Sequence, residues 1–298
     1  MQNPTLLGYC TEVYLPTRVG LKPSSAQQLR LAAKLYNLPL TRLHERELAG
    51  VLAEYCRSHS PATTNSKRRA ILTLWDAAAG DGLCRKPDRR RVPKAREFRR
   101  LPLAWTVSEV ERLVSHCRAL PGMVAQIPRS RWWTSLVLAV WDSGERISAT
   151  LSTATADCNL AERFMLVRAE NQKCGIDRLF WLSDATVAAI AGHYDTGRQL
   201  VWPWPHCRRY LFVQFRSIIG GAGLTAEKSM GLFHKLRRSN ISYTARNGGL
   251  DLARQQAGHS SASTTLRHYV DPRIAHERSA VDVLPPLRAD RDVQLRLF

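Results

Sequence analysis

Residues 233–249 read FHKLRRSNISYTARNGG, and residues 257–269 read AGHSSASTTLRHY. Apolar residues recur at helical spacing in the first segment, which predicts an amphipathic helix with one face toward a core. His234 and Arg237 are three residues apart and share a neighbouring face of that helix, so both can address one target. A second helix follows and is predicted to end at Gly258, the usual left-handed cap.

The second segment places a tyrosine on a short element of its own. Ser263 or Thr264 can begin a short helix that carries Tyr269 near its end. Asp271 and Pro272 then close this helix. The sequence therefore predicts a tyrosine on a separately capped helix, close behind a histidine and an arginine in the chain.

This order of residues resembles the signature of the tyrosine recombinases of the phage-integrase type. The resemblance rests on HKLR at 234–237 and on the segment 257–269, and the order and spacing of these motifs are specific. Two earlier segments extend it: WDSGERIS at 141–148 resembles the G-x-R-I-S segment of the family, and QKCGIDRLFWLS at 172–183 resembles its β-hairpin. The resemblance implies six catalytic residues: Arg146, Lys173, His234, Arg237, His259 and the nucleophile Tyr269.

The resemblance also implies a reaction, which is the cleavage and rejoining of DNA through a 3′-phosphotyrosyl link. Arg146 and Arg237 would bind the two non-bridging oxygens of the scissile phosphate in forked hydrogen bonds. The bond energy is kept in the link, so neither a cofactor nor a metal ion is expected. A two-metal nuclease would instead need convergent carboxylates, and these segments do not gather them.

The remaining four residues would move or donate protons. The Tyr269 hydroxyl has a reference pKa near 10 and needs a base, for which His234 is the candidate. Lys173 would protonate the departing 5′-oxygen as negative charge develops on it. His259 would donate a hydrogen bond to the phosphate.

The sequence departs from the family pattern in two places. The family usually has an acid three residues after the first arginine, but that position is Ala149. Glu145 is a candidate substitute, although adjacent residues on a helix do not share a face. The spacing from His259 to Tyr269 is also one residue longer than is common in the family, and we interpret the neighbouring His268 as structural.

The composition favours a polyanionic partner. The chain has 44 Lys and Arg against 25 Asp and Glu, a formal net charge of +19. Nucleic acid fits this imbalance because each phosphate neutralised by a cation releases a condensed counterion. A basic fold that only tolerates its charge is the alternative. An RNA-binding protein is a further alternative, but the sequence lacks recognisable base-stacking aromatic motifs.

The sequence also bears on compartment. Its seven cysteines form no C-x-x-C pair, so neither a zinc site nor a full disulfide framework is expected. No stretch approaches the roughly 18 apolar residues of a membrane span, and the N-terminus does not resemble a signal peptide. We expect a cytoplasmic, DNA-associated protein with no membrane partner.

The part of the chain before the catalytic segments contains two candidate DNA contacts. A helix opens with TTNSKRR at 63–69, polar and basic side chains at an N-terminus whose dipole favours anions. A capped helix with a solvated basic first turn is an equal alternative. The segment 84–104 is Pro-interrupted and rich in cations, as expected of a linker that crosses a DNA backbone. The candidate DNA-binding residues are Thr63, Asn65, Lys67, Arg68, Arg89, Arg90 and Arg91.

We therefore predict a mainly α protein with a small β-hairpin or sheet, in which a helical core-binding domain is joined to an α+β tyrosine-recombinase catalytic domain. The predicted boundaries are 1–83 for the helical domain, 84–104 for the linker, 105–272 for the catalytic domain and 273–298 for a tail. The resemblance implies that the tail docks on a neighbouring subunit. It also implies a homotetramer on paired double-stranded DNA sites, with DNA-bending accessory proteins as further candidate partners.

Two other functions remain open from the sequence. A type IB topoisomerase uses a similar residue set but reseals the same strand, and the helical N-terminal domain favours recombination over that reaction. A catalytically inactive DNA-binding regulator is conceivable because of Ala149. Formation of a covalent protein–DNA adduct separates the regulator from either enzyme.

Overall fold

The computed structural model describes residues 4–98, 101–225 and 231–275. Contacts between residues divide the chain into two compact units, Met1–Arg99 and Arg100–Phe298. Each unit has its own hydrophobic core. The predicted tail, 273–298, lies outside the described residues except for 273–275, which belong to the short helix Pro272–Ala275.

The first unit is helical throughout the part that the structure describes. Its helices are α1 (Leu6–Gly8), continued by a π-helical segment (Tyr9–Tyr14), then α2 (Pro23–Leu35), α3 (Glu45–Ser58) and α4 (Pro61–Gly80). The apolar residues of α3 and α4 recur at helical spacing and are buried, with Leu48, Ile71 and Trp75 all at 0% exposure. Ser60 caps α4 by accepting a hydrogen bond from the Thr63 backbone.

The basic segment that follows α4 is folded against this unit as far as residue 98. Val92 is fully buried in the helical core. Arg85 forms a bidentate ion pair with buried Glu45, which also accepts a hydrogen bond from the Asp88 backbone at 2.9 Å. The hydrogen bonds from Arg85 lower the pKa of Glu45 to about 2, against the opposing effect of burial. Residues 84–98 of the predicted linker are therefore anchored to the first unit.

The second unit combines helices with two small antiparallel sheets. Its helices are α5 (Val107–Arg118), α6 (Arg129–Ser143), α7 (Ile147–Thr150), α8 (Asp184–Ala191), α9 (Arg208–Gly221), α10 (Leu232–Ala257), α11 (Ala262–His268) and α12 (Pro272–Ala275). Its strands are β1 (Met123–Val124), β2 (Ile127–Pro128), β3 (Cys158–Asn159), β4 (Phe164–Val167) and β5 (Arg178–Trp181). β1 pairs with β2, and the other sheet has the order β3-β4-β5. The predicted fold class, mainly α with a small hairpin, is confirmed.

Two features of the second unit bear on the candidate site, the β4–β5 hairpin and a kink in α10. The predicted hairpin is β4–β5, in which Phe164 pairs with Trp181 and Val167 with Arg178. α10 is kinked at Gly249, where the backbone is not helical. Among the described residues, no helix is long and apolar enough to cross a membrane.

The turn between α6 and α7 sets the position of Arg146. α6 ends at Gly144, whose φ of 60° is the left-handed conformation that favours glycine. The Asn240 side chain on α10 donates hydrogen bonds to the carbonyls of Trp141 and Asp142 at 2.7 and 3.0 Å. These bonds satisfy carbonyls at the end of α6 and fix the turn against α10.

Gly144→Ala is expected to lower the free energy of unfolding by about 1–3 kcal/mol. A Cβ at this position would lie 2.2 Å from Asn240 Oδ1, and the φ of 60° disfavours any side chain. Urea unfolding measures the loss. Gly220→Ala is the matched control, because Gly220 is in α9 with nothing within 4 Å of a Cβ. Equal stabilities for the two variants would contradict this account of the turn.

Candidate active site

Three of the predicted catalytic residues line one pocket of the second unit. The pocket has a volume of 220 Å³, and Arg146, His234 and Arg237 lie in its wall together with Arg208. Arg146 comes from the turn before α7, His234 and Arg237 from the first turns of α10, and Arg208 from the first residue of α9. Glu145 also lines this pocket. Three arginines against one carboxylate make it a site for an anion.

Arg237 is held rigidly at the bottom of the pocket. Its side chain is fully buried, Nη1 donates to the Gly144 carbonyl, and Nη2 donates to the Ala257 carbonyl at 2.6 Å. The Nε atom is buried and has no hydrogen-bond partner among the described residues. Burial lowers the pKa of Arg237 and the Glu145 carboxylate raises it, and an arginine keeps its proton in proteins. The guanidinium is therefore held by backbone carbonyls in the wall of the pocket.

Tyr269 lies beside the same arginine. The Arg237 guanidinium is 5.3 Å from the centre of the Tyr269 ring. The Ser242 hydroxyl donates a hydrogen bond to the Tyr269 carbonyl at 3.2 Å. The same hydroxyl oxygen accepts a hydrogen bond from the Asp271 backbone at 2.8 Å. Asp271 in turn accepts from the Ala104 backbone at 2.8 Å. Hydrogen bonds at the Tyr269 carbonyl and at Asp271, two residues later, therefore fix the backbone around the tyrosine.

His259 completes the group around Tyr269. Its ring centre is 4.5 Å from that of Tyr269, and its Nδ1 lies 3.0 Å from Thr265 Oγ1. Gly258, just before it, has a φ of 64° and ends α10. This φ favours glycine, and a Cβ on Gly258 would also lie 2.8 Å from the Arg178 guanidinium, which would have to move.

Both histidines of the site have lowered pKa values. His234 keeps an exposed surface, but protein packed around its ring lowers its pKa from 6.5 to about 4, and the charges of Arg237 and Arg238 act in the same direction. Burial also lowers the pKa of His259 to about 4, with a further contribution from Arg237 and Arg146. Both rings are therefore neutral at pH 7 and can accept a proton.

The lowered pKa values predict a loss of stability in acid. Because the unfolded chain takes up protons on these histidines more readily than the folded chain, their contribution is complete above pH 6.5 and is lost as the pH falls toward about 4. Urea unfolding at about pH 7 and about pH 4.5 measures the loss. The variant His234→Gln, His259→Gln should lose less stability over this interval than the wild type. Equal losses would contradict the lowered values.

Lys173 is the predicted catalytic residue that the structure does not bring into contact with the others. It lies exposed in the connection between β4 and β5, and within the described residues it has no hydrogen bond to the other five. Its neighbour Gln172, in contrast, is buried and donates to Glu145 Oε2 at 3.2 Å. The hairpin is thus attached to the site one residue before the lysine.

The candidate DNA-binding residues of the first unit fall into two groups. Thr63, Arg90 and Arg91 are exposed, and Arg89 is exposed but pairs with Asp76. The side chains of the other three are used within the unit or buried in it: Asn65 donates to the Ala95 carbonyl, Lys67 is 9% exposed, and Arg68 donates to the carbonyls of Val92 and Arg89. Direct contact with DNA stays a prediction for all seven.

The sequence did not reveal two cations of the site, Arg178 and Arg208. Arg178 begins β5, contacts Glu145 at 2.9 Å and donates to the carbonyls of Gln255 and Gln256 at 2.9 and 2.7 Å. Arg208 begins α9 and faces the pocket. Arg178 lies within the hairpin segment 172–183, but no spacing there distinguishes it from a surface arginine, and Arg208 lies outside the quoted motifs. Only the fold could identify the two.

Comparison with known proteins supports the fold independently. No family model and no curated protein matches the sequence. Solved structures do match. A lambda integrase dimer bound to a COC′ core site is 16% identical, covers 85% of this chain and 91% of its own, and has a TM-score of 0.69. A lambda integrase tetramer bound to a Holliday junction is 18% identical, covers 89% and 78%, and has a TM-score of 0.68.

A second integrase matches equally well over the chain. The Tn1549 transposon integrase in complex with circular intermediate DNA is 15% identical, covers 90% of this chain and 95% of its own, and has a TM-score of 0.67. The chain therefore has the fold of the tyrosine recombinases. In architecture it is similar to the lambda and Tn1549 integrases.

Proposed function

We propose that the protein is a site-specific DNA recombinase that cleaves and rejoins strands through a covalent link to Tyr269. One observation carries the proposal. Arg146, His234 and Arg237 line one cationic pocket, Tyr269 lies beside Arg237, and His259 lies beside Tyr269. These are five of the six residues that the sequence motifs named, all but Lys173, and they lie on a fold similar to that of the lambda and Tn1549 integrases.

The pocket supplies what attack on a phosphodiester requires. The pentacoordinate transition state carries extra negative charge, which preorganised cationic donors stabilise. Arg237 lies buried in the wall of the pocket, and Arg146 has a side chain 25% exposed toward solvent. Arg208 adds a third positive charge at the rim of the pocket. The phosphate would bind between these arginines, with Tyr269 beside it.

The neutral histidines fit the proton transfers. His234 would accept the proton of Tyr269 as the phenolic oxygen attacks phosphorus. Phosphate bound in the pocket partly neutralises the arginines, which raises the pKa of His234 and makes it a better base. His259, hydrogen-bonded through Nδ1 to Thr265, is left with Nε2 to contact the phosphate. Lys173 would protonate the departing 5′-oxygen once DNA binding brings its hairpin connection to the site.

Double-stranded DNA and other copies of this chain are the proposed partners. The net charge of +19 fits a phosphate backbone. Lambda integrase has been solved as a dimer on a core site and as a tetramer on a Holliday junction. We extend both properties to this chain, with a homotetramer on paired sites as the active assembly.

A suicide substrate tests the proposal. A nicked duplex, enriched from a random library for binding to the purified protein, loses a short fragment after cleavage and traps the covalent adduct. We expect an adduct on a denaturing gel in the presence of EDTA. Binding without an adduct would overturn the enzyme and support an inactive DNA-binding regulator. Adduct formation followed by relaxation of supercoiled DNA, without strand exchange between sites, would support a type IB topoisomerase.

A further inference from the structure

The position that usually carries an acid in the family is apolar in this protein. Ala149 lies in α7 and is 2% exposed, and its methyl group cannot form a hydrogen bond that would orient an arginine. Glu145, four residues earlier, is instead a carboxylate with a fully buried side chain. A buried carboxylate is costly unless cations and hydrogen bonds compensate it. The side chains around Glu145 provide this compensation.

The two carboxylate oxygens of Glu145 face different parts of the site. Oε1 accepts a hydrogen bond from the Arg146 backbone at 2.6 Å and lies 3.6 Å from Nη1 of both Arg146 and Arg237. Oε2 accepts from Arg178 Nη1 at 2.9 Å and from Gln172 Nε2 at 3.2 Å. One oxygen therefore contacts the two arginines of the phosphate pocket, and the other contacts the hairpin.

The two hairpin contacts of Glu145 lie on either side of Lys173 in the chain. Gln172 immediately precedes the lysine, and Arg178 begins β5. Arg178 also donates to the carbonyls of Gln255 and Gln256, at the end of the helix that precedes His259. The Glu145 carboxylate therefore contacts both Arg146 and Arg237 and the connection between β4 and β5 that carries Lys173.

We propose that Glu145 is a positioning residue that takes over the role of the missing acid and aligns Arg146 and Arg237 with the hairpin that carries Lys173. The inference rests on the proposed function and deepens it. The residue acts through its neighbours and touches no reacting atom. Its removal should therefore slow cleavage while leaving DNA binding intact, because the pocket becomes more cationic.

The test compares Glu145→Gln with the wild type in single-turnover cleavage of the suicide substrate. We expect the cleavage rate to fall about a hundredfold, the loss typical of a misplacement near 1 Å at a reacting group. The dissociation constant for DNA, measured in parallel, should not rise. Glu111→Gln is the matched control, since Glu111 is exposed on α5. An undiminished rate for Glu145→Gln would overturn the inference.

A second substrate separates alignment of the hairpin from alignment of the arginines. Replacing the bridging 5′-oxygen by sulfur makes the leaving group a thiolate, which departs without a proton because a thiol has a pKa near 8.5. This substrate should restore the rate of Lys173→Ala. It should also restore part of the rate of Glu145→Gln. If the defect of Glu145→Gln were equal on both substrates, the link to the hairpin would be refuted.

A milder variant tests the proposal even if Glu145→Gln does not fold. Gln172→Leu removes only the hydrogen bond from the hairpin to Glu145 at similar volume. We expect a smaller rate loss that the sulfur substrate also relieves, and a normal rate on the oxygen substrate would contradict the proposal. A wild type that binds DNA but forms no adduct would overturn the proposed function, and the inference with it. A wild-type adduct with no effect of either variant would overturn the inference alone.

Discussion

Tyr269→Phe is expected to bind its DNA site normally and to form no covalent adduct. The substitution removes a single oxygen, the one that would attack phosphorus. The contacts that hold the residue in place involve its carbonyl, its backbone nitrogen and its ring, all of which phenylalanine keeps. Folding and binding should therefore survive while cleavage falls below detection on a denaturing gel.

Tyr243→Phe is the matched control for this result. The Tyr243 hydroxyl accepts a hydrogen bond from the Val107 backbone at 3.2 Å, and its ring packs against Trp141. Loss of that hydroxyl removes a bond near the start of α5 and should cost about 1 kcal/mol of stability. The adduct should still form. An adduct that persists in Tyr269→Phe would mean that another residue is the nucleophile.

Local signals in the sequence predicted most of the fold. Thr106 and Glu109 have the spacing of a capping box at the start of α5, and the structure forms it: Thr106 Oγ1 accepts from the Glu109 backbone, and Glu109 Oε2 accepts from the Thr106 backbone at 2.8 Å. The segment 172–183, which resembles the family's hairpin, contains β5 (Arg178–Trp181). Such elements depend on neighbours a few residues apart, which sequence patterns record directly.

The site could be predicted only in part, because its contacts join distant segments. His234 and Arg237 share a helix, so their spacing was informative. The hydrogen bond from Arg237 to Gly144 spans 93 residues, and that from Arg178 to Glu145 spans 33. A local sequence pattern does not indicate contacts between residues so far apart in the chain. The sequence could name Glu145 as a candidate, but only the fold shows what its carboxylate contacts.

The basic helix of the first unit shows a different limit. Polar and basic side chains in the first turns of a helix are typical of a solvated or phosphate-binding surface. In α4, however, Arg68 folds back to donate to the carbonyls of Val92 and Arg89. An arginine that satisfies a buried backbone has the same sequence signature as one that contacts DNA. The partner segment lies more than twenty residues away, so the sequence could not distinguish the two.

Arg237→Ala and Arg146→Ala are expected to abolish cleavage in a similar way but to differ in stability. Each removes a cationic donor from the phosphate pocket, which should slow adduct formation at least about a hundredfold. Arg237 is fully buried and donates to two backbone carbonyls, so its removal should also cost about 3 kcal/mol of unfolding free energy. Arg146 is 25% exposed and contacts Glu145 at 3.6 Å, so its removal should cost less than about 1 kcal/mol.

Urea unfolding and single-turnover cleavage together separate the two roles of Arg237. Arg237→Lys keeps the positive charge, but its single nitrogen cannot replace the two that donate to the carbonyls of Gly144 and Ala257. This variant should therefore lose both unfolding free energy and cleavage rate. Arg118→Ala, on an exposed position of α5, controls for a general effect of charge on DNA binding. If Arg237→Ala lost stability and still cleaved at the wild-type rate, the arginine would be a structural residue only. Since its guanidinium lies in the wall of the phosphate pocket and beside Tyr269, we expect the rate to fall.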